Sequence, residues 1–429
     1  MLSKPRHRGE FPIWANASEH QWGDWKWQFK NRIATPAQLN STFSLTSSEH
    51  DAAGRSAELF RLGITPHYAT MVDPDDPLCP IRLQAIPQID ELSSLDYEME
   101  DPLHEDVDSP VPGLTHRYPD RVLLLVTHEC AVYCRYCTRR RIVGDRAGSH
   151  RARIDAAIDY IRATPSIRDV LISGGEPLGL SDDRLGDILA KVRRIDHVEI
   201  IRIGTRMPVV MPQRITPDLV AVLRRYHPLW LNTHFNHPLE LSPPVTREAM
   251  ERLADAGIPT GNQTVLLKGV NDCPVIMRKL MHELVKLRCR PYYLYNCDSA
   301  EGLGHFRTPV DTGLAIMESL WGHTSGFAIP AFIVDAPEGG GKIPLLPNYR
   351  VSHGNGQVVL RNFQGKQFTY HEGETVDHAV DGICRICGTN HSSIKTGPAA
   401  ELWGGRDAPA MKTGQLRVEC GGDGPRRSN

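Results

Sequence analysis

The 429-residue chain has no run of about 18 apolar residues, the length a membrane-spanning helix needs. Its opening, MLSKPRHRGEFPIWANASEH, has basic residues but no apolar core or small-residue cleavage site, so no signal peptide is expected. Neither charge is in excess: 49 Lys and Arg against 51 Asp and Glu leave a formal net charge of −2. That balance excludes nucleic-acid binding as a main role, because such binding rests on surplus Lys and Arg. Ten cysteines are too few for a disulfide scaffold at this length. Internal repeats and low-complexity tracts are also missing. What remains is a globular, enzyme-like body expected in the cytoplasm, with 40% hydrophobic and 23% charged residues.

The cysteines that are present are unevenly placed. HECAVYCRYCTRRRIVG (128–144) holds Cys130, Cys134 and Cys137 in a C-x3-C-x2-C spacing, followed by Arg139, Arg140 and Arg141. Clustered cysteines in a reducing compartment point to a metal. Three thiolates neither close a tetrahedral zinc site nor ligate every iron of a cubane cluster. A [4Fe–4S] cluster held by three cysteines leaves one iron open to another ligand. The bland alternatives are buried cysteines or a zinc site completed elsewhere.

From residue 121 short apolar runs alternate with segments of helical spacing. The runs are RVLLLVT (121–127), DVLISGG (169–175), VEIIRIGT (198–205), LWLNTHF (229–235), NQTVLLKG (262–269) and PYYLYNC (291–297). Such alternation predicts a parallel α/β architecture, and six strands suggest a barrel or partial barrel with its chemistry at the C-terminal strand ends. A doubly wound open sheet is the second possibility. The cysteine motif follows the first run and Gly174-Gly175-Glu176 the second. Upstream, DWKWQFKNRIATPAQLN reads as a helix ending near Thr35-Pro36 and a second helical start. Downstream, residues 326–370 give one more strand, a glycine-rich turn and a hairpin in QVVLRNFQGKQFTYH. Four regions are expected: an N-terminal helical extension (1–107), the partial barrel (108–325), a segment carrying Lys342 with the hairpin (326–370), and a C-terminal tail (371–429).

C-x3-C-x2-C after one strand and GGE after the next resemble the radical S-adenosylmethionine superfamily. Longer segments narrow this: DPLHEDVDSPVPGLTHRYPDRVLLLVT, CTRRR, LNTHFNHPLEL, GNQTVLLKGVND, HTSG and VDAPEGGGKIPLLPNY resemble the lysine 2,3-aminomutase family. The likeness runs from about Trp22 to about Phe363. It implies a partial (βα)6-type barrel with an N-terminal helical extension and a C-terminal α/β extension. It also implies a [4Fe–4S] cluster, S-adenosylmethionine, whose amino group Gly174, Gly175 and Glu176 contact, and pyridoxal phosphate. Lys342, behind three glycines, is then the lysine that binds pyridoxal phosphate covalently, where the bland reading is an exposed lysine on a flexible loop. A P-loop is excluded, since Ala336 and Ile343 occupy key places of G-x4-G-K-[ST].

By the same resemblance Arg117 and Arg121 hold the cofactor phosphate, Tyr118 lies against its ring, and Gln263 belongs to the cofactor site. Arg139 takes the substrate carboxylate, a task suited to guanidinium. Asp298 and Asp335 take the distal cation of a basic substrate, where the bland reading is turn-forming Asp. Arg140 and Arg141 read as a solvated charge run. Three departures from the family stand out: Tyr136 in place of histidine, Glu338 in place of glycine, and Gly382 in place of the first cysteine of a zinc-binding C-x-C-x2-C. Structural zinc on Cys273, Cys384 and Cys387 would need His378 or His391 as fourth ligand. Cys79, Cys289, Cys297 and Cys420 read as space-filling.

The expected activity is a 2,3-aminomutase shifting the α-amino group of a basic amino acid, lysine first, to the β-carbon. The alternatives are an arginine 2,3-aminomutase of an antibiotic pathway, a non-catalytic iron–sulfur or zinc regulator, and a maturase acting on protein-bound lysine. Expected partners are a small amino acid, an electron donor such as flavodoxin or ferredoxin, and further copies of the chain.

Overall fold

The N-terminal hundred residues form short helices whose ends are marked by local chemistry. Asp24 caps the helix Trp25–Lys30, accepting from Lys26 N and Trp27 N. Thr35 caps Pro36–Thr42, with proline in the first turn where a missing N–H costs nothing. The restart expected at Pro36 is observed, but the first helix ends at Lys30, five residues before Thr35, because the chain there turns extended and Ile33 joins a bridge. Between the two helices Ile33 bridges to Ile64, and both are fully buried. The computed structural model describes residues 5–56, 60–144, 150–373, 379–380 and 383–384. These fall into two compact units, one of residues 1–349 with 362–366, the other of 350–361 with 367 onward.

The first unit is organised by a nine-stranded sheet in sequential order: β1 (Leu114–Tyr118), β2 (Arg121–Leu125), β3 (Asp169–Ser173), β4 (Ile200–Gly204), β5 (Leu229–Thr233), β6 (Thr260–Leu266), β7 (Cys289–Asn296), β8 (Ala331–Ala336) and β9 (Gly341–Leu345). Strands β2 to β8 are parallel, while β1 and β9 run antiparallel to their neighbours. The six expected strands are β2 to β7, and the downstream strand is β8. Helices His150–Ala163, Asp182–Arg193, Pro217–Arg224, Pro244–Asp255, Pro274–Lys286 and Val310–Leu320 connect them. Alternate residues of each strand face these helices and are fully buried or nearly so, as with Val170, Ile172, Ile201 and Ile203. Each such side chain contributes about 1.5–3 kcal/mol. The other face, with Leu123, Leu171 and Arg202, lines a hollow interior.

Among the described residues β1 and β9 do not pair, so the sheet is a nearly closed barrel with a seam. Tyr118 Oη accepts from Lys342 N across it at 3.1 Å. Lys342 therefore sits on a strand, in register with Asp335, and not on a loose loop. HRYPDR, on its face only a charged turn, is the turn of the β1–β2 hairpin. The second unit holds a three-stranded antiparallel sheet of β10 (Arg350–Gly354), β11 (Gln357–Arg361) and β12 (Gln367–His371), which contains the expected hairpin. Ala379–Val380 and Ile383–Cys384 form a further short pair. Among the described residues no helix is long and apolar enough to cross a membrane.

Glu338, in the turn between β8 and β9, has φ 57°, a left-handed conformation that glycine adopts without cost. Glu338→Gly is expected to raise unfolding stability by about 1 kcal/mol, measured as a higher denaturant midpoint. An unchanged or lower midpoint would show that the Glu338 side chain offsets its backbone strain.

Candidate active site

The interior is a cavity of about 700 Å³ that runs from the N-terminal ends of β2 and β3, at Arg121 and Asp169, to the loops after their C-terminal ends. Its wall carries Cys130, Cys134, Cys137, Arg139, Gly174, Gly175, Glu176, Arg117, Tyr118, Arg121, Gln263, Asp298, Asp335 and Lys342. Every residue nominated for the iron–sulfur, cofactor and substrate sites thus lines one space, of a size that fits small-molecule ligands.

The cysteine loop follows β2 and is held by its own backbone and by neighbours. Cys137 N donates to Cys134 O at 3.0 Å, and Arg32 donates to Cys130 O. Burial pushes the Cys137 thiol up to about 11, with the Cys134 sulfur adding to the shift. A bound metal would displace that proton outright. Among the described residues no three His, Cys, Asp or Glu side chains converge on one ion. Arg206, just after β4, donates from Nη1 to Cys134 Sγ at 2.9 Å and pairs with Glu240 at 2.7 Å. It places a cation beside a sulfur of the cysteine motif, and no cysteine-motif reading points to it.

The GGE turn after β3 packs directly on this loop. Gly174 has φ 132°, and a Cβ there would lie 2.3 Å from Thr127 O; one on Gly175 would lie 2.5 Å from Glu129 O. Gly175 N donates to Thr127 O at 2.6 Å and Glu176 N to Glu129 O at 2.8 Å. The close approach that these glycines permit is therefore to the cysteine loop itself. The Glu176 carboxylate is buried and accepts from Thr205 Oγ1 at 2.5 Å, Arg206 N at 2.8 Å and Leu178 N at 3.1 Å. Burial outweighs these donors and pushes its carboxyl up to about 7.

On the opposite side, Lys342 Nζ pairs with Asp335 Oδ2 at 2.7 Å and lies 5.4 Å from the centre of the Tyr295 ring. Asp335 Oδ1 is buried with no partner among the described residues. Burial pushes the neighbouring Asp298 carboxyl up to about 7, with repulsion from Asp335 adding to the shift and Lys342 opposing it. Arg117 Nε pairs with Asp108 at 2.7 Å, while its buried Nη2 has no partner among the described residues. The Arg121 guanidinium stacks on Tyr118 at 3.9 Å. An amine, an orphaned guanidinium N–H and an aromatic ring on one cavity wall fit a phosphorylated carbonyl cofactor.

The arginine run is not a solvated patch. Arg139 is held by both oxygens of Glu105, Arg140 by the fully buried Glu91 at 2.8 Å, and Arg141 by Asp101 and Asp106 at 3.1 and 2.8 Å. Tyr136 is buried between the second and third cysteines, 5.5 Å from the His234 ring, and its hydroxyl has no partner among the described residues. Cys79, Cys289 and Cys297 are buried, while Cys273 is exposed. The remaining zinc candidates, Cys387, His378, His391, Gly382 and the Cys384 side chain, lie outside the described residues, as does Cys420.

A parallel partial barrel with three cysteines after its first parallel strand, against a glycine turn after the second, defines a radical S-adenosylmethionine enzyme. The family model "Radical SAM superfamily" matches residues 124–280, and "Lysine-2,3-aminomutase" matches 317–397. The chain is 53% identical over 395 residues to L-lysine 2,3-aminomutase of Clostridium subterminale, covering 92% of this chain and 94% of that one. It is 54% identical to the Bacillus subtilis L-lysine 2,3-aminomutase, covering 86% of this chain and 78% of the other. Glutamate 2,3-aminomutase of Clostridioides difficile is 46% identical, with 84% of this chain and 86% of the other covered. The chain belongs to the lysine 2,3-aminomutase family, whose members are isomerases using a [4Fe–4S] cluster, S-adenosylmethionine and pyridoxal phosphate.

Gly174→Ala is expected to abolish cluster incorporation, because its Cβ would drive the GGE turn off Thr127. Iron and sulfide content and visible absorbance after anaerobic reconstitution measure it. Retention of a full cluster would show that the two segments separate without harm.

Proposed function

We propose that this chain moves the α-amino group of L-lysine to the β-carbon. The observation that carries the reading is one cavity lined by three cysteines, by Lys342 on Asp335, and by Asp298. When bound, the cluster with S-adenosylmethionine supplies hydrogen-atom abstraction, and pyridoxal phosphate supplies a conjugated ring over which an unpaired electron spreads. The chain's own part is placement, since a radical is quenched by any badly placed neighbour.

In this reading Cys130, Cys134 and Cys137 hold the cluster, and the Gly174–Glu176 turn faces the amino group of S-adenosylmethionine. Lys342 offers its amine to the carbonyl cofactor, with Arg117 and Arg121 on its phosphate, Tyr118 against its ring and Gln263 beside it. Arg139 holds the substrate carboxylate. Asp298 and Asp335 take the distal ammonium: with both ionised and Lys342 charged, the three groups sum to −1, and a ligand cation relieves that charge. A carboxylate in the same place would raise the repulsion. An arginine guanidinium would also satisfy two carboxylates, which keeps arginine as the second substrate to test. A low-potential donor of flavodoxin or ferredoxin type, a cytoplasmic setting and self-association complete the proposal, on the strength of the family relation.

The test is anaerobic incubation of reconstituted enzyme with lysine, arginine or glutamate, with mass-spectrometric identification of β-amino products. Lysine is expected to turn over fastest; turnover of glutamate alone would overturn the roles of Asp298 and Asp335. Lys342→Ala is expected to lose activity while keeping the iron–sulfur spectrum, and full activity in that variant would sink the scheme.

Affinity for lysine is expected to rise with pH through about 7, because Asp298 binds a cation only once it has lost its proton. The charged and titratable groups around it are Asp335, Lys342, Glu105 and Tyr295. Calorimetric titration between about pH 6 and 8 measures this, and Asp298→Asn should flatten the profile. A wild-type affinity independent of pH would exclude Asp298 from the ammonium site.

A further inference from the structure

Two of the three arginines assigned to anions, Arg117 and Arg139, are gripped by one acidic segment, DPLHEDVD (101–108). Glu105 takes Arg139 along its side edge: Oε1 and Oε2 accept from Nε at 3.0 and 2.9 Å, and Oε1 accepts from Nη2 at 2.7 Å. Asp108 takes Nε of Arg117 at 2.7 Å. In each case an Nη group is left over. Arg117 Nη2 is buried without a partner among the described residues, and the bonds of Arg139 to Glu105 use Nε and Nη2 and leave Nη1. The segment is itself anchored, by Arg141 on Asp101 and Asp106 at 3.1 and 2.8 Å and by Glu338 N on Pro102 O at 3.1 Å. Glu105 is only 8% exposed.

A guanidinium presents two bidentate edges, the side edge of Nε with one Nη and the end edge of both Nη groups. A carboxylate that closes the side edge fixes the plane of the fork and leaves the end edge for a ligand. We propose that Glu105 is a positioning residue for substrate: it locks the side edge of Arg139 so that only the end edge meets an incoming α-carboxylate. The inference rests on the reading of Arg139 as the carboxylate site. It assigns Glu105 a role opposite to that of a competitor, which would have to leave Arg139 before substrate entered.

The experiment uses holoenzyme loaded with cluster and pyridoxal phosphate, without S-adenosylmethionine, so that binding is read from cofactor absorbance with no turnover. Wild type, Glu105→Gln and Arg139→Lys are each titrated with L-lysine and with 1,5-diaminopentane, which lacks the carboxylate. Glu105→Gln is expected to weaken lysine about tenfold while diamine affinity stays within about twofold. Tighter lysine binding would mean competition, unchanged lysine binding would mean no role, and equal losses for both ligands would mean a merely structural one. Each of those results overturns the proposal. If Arg139→Lys leaves the preference for lysine over diamine intact, the underlying reading of Arg139 falls. If Arg139→Lys removes that preference and Glu105→Gln does not alter it, the role of Glu105 alone falls. Should Glu105→Gln yield no folded holoenzyme, Glu105→Asp, which keeps the charge and shortens the reach, is titrated instead with the same loss expected.

Discussion

Among the described residues the two ends of the sheet meet without backbone pairing, and a side-chain hydrogen bond spans the gap. Tyr118 Oη, at the end of β1, accepts from the backbone N–H of Lys342 on β9 at 3.1 Å. A backbone ladder there would close the barrel, and small closed barrels fill their interior with side chains. Here a side chain bridges the seam instead, beside an interior of about 700 Å³. The glycines before Lys342 make this approach possible. Gly341 has φ 80°, and a Cβ on it would lie 3.2 Å from Tyr118 Oη; a Cβ on Gly340 would lie 2.7 Å from that of Ala336. So EGGGK is a tight hairpin that sets Lys342 opposite Asp335 and under Tyr118, which places the amine and the aromatic ring together.

The second constraint is a chain of carboxylates from the N-terminal third of the protein, each holding an arginine of the cysteine loop. Glu91 lies between Arg135 and Arg140 with its side chain fully buried, Glu105 is on Arg139, and Asp101 and Asp106 are on Arg141. Exposed pairs of this kind contribute about 0–1 kcal/mol, whereas stripping one partner from a buried pair costs about 3–5 kcal/mol. The Arg135–Glu91–Arg140 triad is of the second sort. The N-terminal segment therefore braces the cysteine loop. Arg206 works from the other side, joining Cys134 to Glu240 and Tyr68.

This arrangement shows which features a sequence exposes. The strands β2 to β7 are legible because each is a short apolar run followed by a helix of matching spacing, and parallel sheets buried on one face by helices require that pattern. The cysteine loop and the GGE turn are legible as composition anomalies at strand ends. Strand β1 was hidden, because HRYPDR spends its side chains on the cavity and so lacks an apolar face. Lys342 read alone as a loop residue, because three glycines suggest looseness when they here serve two positive-φ turns. Glu105 and Arg206 were missed for a different reason. Their partners, Arg139 and Cys134, stand 34 and 72 positions away, and pairing at that separation leaves no local signal. The charge run misled in the same way, since three arginines in a row look solvated until their carboxylates are found.

The choice of substrate turns on an electrostatic imbalance that the fold leaves in place. Asp335 gives one oxygen to Lys342 and keeps the other buried without a partner among the described residues, while Asp298 sits beside it with Thr138 as hydrogen-bond donor. Two carboxylates sharing one lysine cannot both remain ionised at low cost, which is why burial and Asp335 push Asp298 up to about 7. A site made only for stability would pair them fully or replace one by a neutral residue, since half-satisfied buried polar groups are expensive. In the proposed reading that cost is recovered when a ligand brings its own cation, and the same carboxylates would then reject an anionic side chain. In the same reading affinity and discrimination come from one pair of residues, and Arg139 sets which way round the ligand lies.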